Sequence, residues 1–241
     1  MKKLAFVTAA ILLFRAVNSL AQETRDHLEP LSSEWSFPTH KNDLPAIVHT
    51  VFHEAWDADV LAWSYNGGSV LGSTGDHMTL LRKSGQRYEI VALQSPVMLW
   101  AYTTASEHVQ KVQGYSWNID PSRYTDVKLS RCQIDVAKPL ADRIIAAWHG
   151  ALMATRYYES PQVPVPDGSW TIFSMKYNDQ ELQGVIADAA EDHSLPSALL
   201  KLNWDMAQFC DDKTDALRSE LGRDLADLEE LHHGKQNERP H

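Results

Sequence analysis

Cys132 and Cys210 are the only cysteines in 241 residues, and they lie downstream of an opening segment that reads as an export signal. One covalent long-range contact is therefore expected before any other feature of the fold. Residues 1–21 carry the signal: Lys2 and Lys3, a short apolar run over 4–14, then Ser19-Leu20-Ala21 as a small-x-small cleavage site before Gln22. That run is about half of the roughly 20 residues that span a bilayer. No cysteine sits at the cleavage point to take a lipid, so no membrane anchor is expected after cleavage. The location implied is periplasmic or secreted, where two lone thiols pair. A Cys132–Cys210 bridge closes a loop of about 80 residues, for which chain entropy gives about 4–5 kcal/mol as an upper figure. Neither cysteine stands in a C-x-x-C or C-x-H spacing, which argues against thiolate metal ligands.

Removing Lys2, Lys3 and Arg15 with the signal takes the formal charge from −10 to −13. So acidic a surface repels phosphate backbones and anionic lipid, excluding nucleic acid as a partner and favouring basic proteins.

The remaining chain divides by periodicity. Residues 22–42 are polar, interrupted by Pro30 and Pro38, and predict an irregular arm. From 43 to 231 we expect a single α+β domain, an antiparallel sheet made of a meander and a later hairpin, packed against three to four helices. Asp43 and Pro45 open an amphipathic helix to about 57. Period-two segments at 60–65, 78–83, 87–94, 97–104, 107–114 and 124–132 predict the meander, with 97–104 open to a helical reading as well. Asp135 is the candidate cap of a long helix to about 157, with Leu140, Ile144, Trp148 and Leu152 on one stripe. Segments 170–177 and 181–189, joined at Asn178-Asp179, predict the hairpin. Ser194 and Pro196 start a helix ending near Cys210. A last helix over 214–231 carries Leu217, Leu221, Leu225, Leu228 and Leu231 on an otherwise charged surface, and residues 232–241 are expected to be a disordered tail.

No catalytic motif emerges, so no catalytic residue and no cofactor is assigned. His49 and His53, at i and i+4 with Asp57 close by, form the best metal candidate, ahead of the His232-His233 pair. Glu does not follow the first histidine, as H-E-x-x-H chemistry requires, and such pairs are common on solvated helix faces. Gly114-Tyr115-Ser116 lacks the final glycine of a nucleophile elbow. Among eight tryptophans, Trp56, Trp63, Trp100, Trp148 and Trp204 sit in periodic segments and read as core. Trp35, Trp117 and Trp170 stand at segment ends and are candidate contacts for a ligand or partner. Leu221, Leu225 and Leu228 complete the core or form a contact, including one with a second copy through the C-terminal helix.

These features point first to a non-enzymatic acidic binding protein, concretely an inhibitor or immunity-type protein that occludes a basic partner such as a toxin enzyme. A glycan- or small-ligand-binding module using tryptophan surfaces is the second reading, and a hydrolase with an unrecognised site the third.

Overall fold

A computed structural model describes residues 28–31, 43–67, 75–103, 120–156, 170–187, 194–211 and 214–237. The alternating segments become β1 (Val60–Gly67), β2 (His77–Ser84), β3 (Arg87–Gln94), β4 (Ser130–Val136), β5 (Trp170–Tyr177) and β6 (Gln180–Ala187). They pair antiparallel throughout, in the order β4-β3-β2-β1-β5-β6, as one open sheet. Turn chemistry sets two of the registers. Gly85, at φ 64°, is the first residue of the two-residue turn that pairs Ser84 with Arg87. Asn178 and Asp179, at φ 47° and 60°, turn β5 into β6 in the left-handed conformation that suits the twist of flanking strands.

The central strands are apolar on both faces because both faces are covered. Helices α2 (Lys138–Met153), α3 (Leu195–Asp211) and α4 (Asp215–Asn237) pack on one side, over Leu81, Ile90 and Phe173. On the other side lie α1 (Leu44–Val51) and a 3-10 turn at Leu99–Tyr102, over Trp63, Tyr65, Leu80 and Val91. The fold is thus α+β, with four helices among the described residues.

A row of small side chains, Ser64, Thr79, Ala92 and Cys132, runs across neighbouring strands on the face that α3 covers. Short side chains let the helix approach the sheet closely. The contact is then fixed at two points: Ser64 Oγ donates a hydrogen bond to Asn203 Oδ1, and Cys132 is disulfide-bonded to Cys210 with a Cα–Cα distance of 5.7 Å.

Several expectations are corrected. Residues 97–104 form no strand where described; buried Leu99 and Ala101 alternate with Trp100 and Tyr102 and so mimic a period of two. The Leu99 N–H is held by the buried Asp76 carboxylate, which also accepts the Tyr65 hydroxyl, so it is not offered to a ladder. Strand β4 begins at Ser130, not at 124, because Asp120 caps Ser122 and Pro121 starts a 3-10 turn over Pro121–Asp126. Asp135 caps no helix: it pairs with Glu89 inside β4, and α2 starts at Lys138 after Ala137. The proposed tail is helical as far as Asn237, although no apolar residue beyond Leu231 signals continuation. In the arm, Leu28 is buried in the core and Glu29 pairs with Val185 of edge strand β6. The proposed strand at 107–114 lies outside the described residues.

Gly75 admits no side chain, since an added Cβ would stand 1.8 Å from the Ser95 carbonyl oxygen. Substituting Gly75→Ala is expected to cost about 2 kcal/mol through forced displacement of that backbone. Chemical denaturation reads this directly, and an unchanged midpoint would refute the close approach.

Candidate functional site

The helix carrying the metal candidates stops at Val51, and Phe52 (φ −99°, ψ 36°) leads into a 3-10 turn at His53–Trp56. His49 and His53 therefore do not share one helical face. His49 stacks on Trp56 at 3.7 Å, while His53 and Asp57 are exposed. Among the described residues no group of three His, Cys, Asp or Glu side chains is placed to hold a metal ion.

Leu221, Leu225 and Leu228 are buried against the helical core, with Leu217 and Leu231 packed beside them. Side chains so covered leave no surface for a partner, and the stripe completes the chain's own core. Trp170 is half-buried, 5.2 Å from the Tyr65 ring and lying over Gly67. Trp35 and Trp117 lie outside the described residues, as does Gly114-Tyr115-Ser116. Trp63 and Trp148 are buried, as the periodicity implies, whereas Trp56 and Trp100 are only partly covered.

Trp204 departs from its core assignment: it is 53 % exposed. The α3 side chains in the apolar core are Leu195, Leu199, Leu202, Met206, Phe209 and Cys210, and position 204 lies about 200° around the helix from 202. Its indole therefore points off the core side, where His77 of β2 meets it at 6.0 Å with the rings 65° apart. Trp204, Ala207 and Gln208 form one wall of a cleft of about 340 Å³ at the sheet end of β2, β3 and β4. Gln94, Ser130 and Arg131 are exposed on the opposite side. Arg131 is already engaged, donating from Nε to Glu54 Oε2 at 3.1 Å and from a terminal nitrogen to Gln133 Oε1 at 2.7 Å. Register created this pairing of Trp204 with His77, and no periodicity in the sequence contains it.

Two further charge arrangements are defined. Arg82 reaches Asp59 at 2.9 Å, Glu89 at 3.6 Å and Glu54 at 3.7 Å, tying the 3-10 turn after α1 to the sheet. Between α3 and α4, Lys201 Nζ donates to Asp205 at 2.7 Å and to Asp224 at 2.8 Å. Asp224 is 2 % exposed. Burial, and then the hydrogen bond and charge of Asp205, outweigh the pull of Lys201 and raise its pKa to about 6. For Asp205, burial pushes upward, but hydrogen bonds from Asp224 and Lys201 outweigh it and hold its pKa below the usual carboxylate value. Burial tends to lower the Lys201 pKa, and the two carboxylates overcome that and raise it. None of the three lines the cleft.

On the solvent side of α4, Asp227 and Glu230 stand exposed next to Glu229, which pairs with Arg143 at 2.9 Å. Fold and sites together define an α+β protein with an open antiparallel sheet, an acidic last helix and a small cleft at one sheet end. No protein-family model, characterised protein or solved structure matches this chain.

Proposed function

We propose that this is an exported, non-enzymatic binding protein of the periplasm or extracellular space that docks a basic protein partner through an acidic surface. Its most concrete form is an inhibitor or immunity-type protein covering the active site of a toxin enzyme. The observation that carries this reading is the division of α4: its leucines are locked into the core, and Asp227, Glu229 and Glu230 face outward. Acids held on a helix that cannot move independently of the core give a fixed field, which steers a cationic partner and sets its orientation. The net charge of −10, or −13 without the signal, extends the same field over the molecule.

The test uses the non-reduced protein, without its signal, immobilised and challenged with periplasmic extract at low salt. One basic protein, retained in stoichiometric amount and released by about 0.5 M salt, is the expected result. The Asp227→Lys/Glu230→Lys variant is expected to bind it roughly tenfold more slowly. Retention unaffected by the variant, or turnover of an envelope substrate by the purified protein, would overturn the reading.

A further inference from the structure

We propose that the cleft beside Trp204 binds a neutral saccharide unit, with the indole as its stacking platform. The inference does not depend on the acidic helix or on a protein partner.

Trp204 leaves 53 % of its surface in water on a helix whose other side supplies buried core. Scattered exposed apolar residues need no explanation, but here the ring lines a concavity and His77 packs against it at 6.0 Å. An aromatic ring with a fixed edge contact and an open surface is a stacking surface. The C–H face of a pyranose carries slight positive charge and complements the negative face of an indole.

The polar lining selects further. Gln94 and Gln208 each carry a donor and an acceptor on a single amide, and the Ser130 hydroxyl does both. Adjacent sugar hydroxyls likewise each donate and accept, so amide ends bind them in pairs. The charge balance excludes other ligands. Among the described residues no carboxylate lines the cleft, and its arginine, Arg131, is held by Glu54 and Gln133. Anions therefore meet no lysine and no uncommitted arginine among the described lining residues, and cations meet no acid there. An amino acid or peptide terminus would bring a full charge that this lining does not answer. The volume of about 340 Å³ falls at the small end of ligand sites, enough for a unit or two of a glycan.

The probes are cellotriose and triacetylchitotriose, both neutral, with trigalacturonate as the anionic comparison. Each is titrated into uniformly ¹⁵N-labelled protein while the indole N–H resonances are followed, that of Trp204 being assigned through Trp204→Phe. At least one neutral trisaccharide is expected to move the Trp204 resonance saturably, with Kd of about 0.1–5 mM. Trp204→Ala is expected to weaken that binding by about tenfold or more, and Gln208→Ala by roughly threefold. Both sites are exposed, so circular dichroism should be unchanged. Trigalacturonate is expected to bind at least roughly tenfold more weakly. No movement with either neutral probe, equal binding of the anionic one, or binding that survives Trp204→Ala would each overturn the proposal. The Asp227→Lys/Glu230→Lys variant should bind the saccharide normally, which separates this site from partner docking.

Discussion

Reducing the Cys132–Cys210 bridge is expected to lower the melting temperature by about 10 °C. The bridge spans a sequence separation of 78, so its loss returns a long loop to the unfolded ensemble. Loop entropy alone gives about 4–5 kcal/mol, real bridges commonly give about 2–4, and for a chain of this size each kcal/mol moves the melting temperature by about 2–4 °C. Structure adds a local reason for a large effect. Cys132 lies on β4, an edge strand of the sheet, and Cys210 is buried near the end of α3. Without the bond, the end of α3 is held over the row of small residues by packing and by the Ser64–Asn203 hydrogen bond. The Cys132→Ala/Cys210→Ala variant is the cleaner test, because serine at 210 would bury a new hydroxyl and confound the result. Differential scanning calorimetry of oxidised, reduced and doubly substituted protein should place the last two close together and both about 10 °C below the first. Equal melting of all three would show that the bridge adds nothing to folding.

The parts of this fold that were legible in the sequence are those where one local signal controls the outcome. The spans of β3 and β5 follow from short segments rich in β-branched and aromatic residues, bounded by Gly85 on one side and Asn178-Asp179 on the other. The Cys132–Cys210 contact follows from there being two cysteines in the whole chain. Where a distant group decides, local pattern misleads. Leu99 and Ala101 alternate like a strand, yet Asp76, 23 residues earlier, takes the Leu99 N–H and the chain turns. Asp135 resembles a helix cap, yet pairing with Glu89 keeps it in β4.

The same contrast governs the sites. Trp204 reads as core alongside the other periodic tryptophans, although a helical wheel anchored on Leu202 and Met206 puts it on the far side. The wheel carries this signal against the general tendency of tryptophan to be buried. His77 as its neighbour depends on which strands lie beneath α3, information that only pairing supplies. Asp224 left a trace too: it sits three residues after Leu221 and one before Leu225, an acid on the apolar stripe of α4. An acid in that position needs a partner, and Lys201 from α3 is that partner.

Replacing Asp224 and replacing Lys201 are therefore expected to move stability in opposite directions, each in a pH-dependent way. Asp224 titrates at about 6 in the folded protein against 3.8 for the free side chain. A raised acid pKa means that the folded state binds the extra proton. Its stability contribution is complete below about pH 4 and is lost as pH rises through about 6, a swing on the order of 2 kcal/mol. Asp205 has the opposite sign: its lowered pKa favours folding above the ordinary carboxylate range, and that contribution is lost as pH falls. Arg223 adds a smaller pull on Asp205, and the raised pKa of Lys201 matters only in strongly alkaline solution. Asp224→Asn keeps the shape and removes the second charge, so at pH 8 it should raise the melting temperature by several degrees and at pH 4.5 leave it nearly unchanged. Lys201→Met leaves two carboxylates facing each other at the α3–α4 contact. Its cost should be about 2–3 kcal/mol at pH 8, below the value for a fully buried pair because the lysine side chain is 52 % exposed. At pH 4.5, with Asp224 protonated, that cost should shrink to less than about 1 kcal/mol. Damage to packing alone would lower stability equally at both pH values, so equal shifts in calorimetry would reject a shared-proton site between these helices.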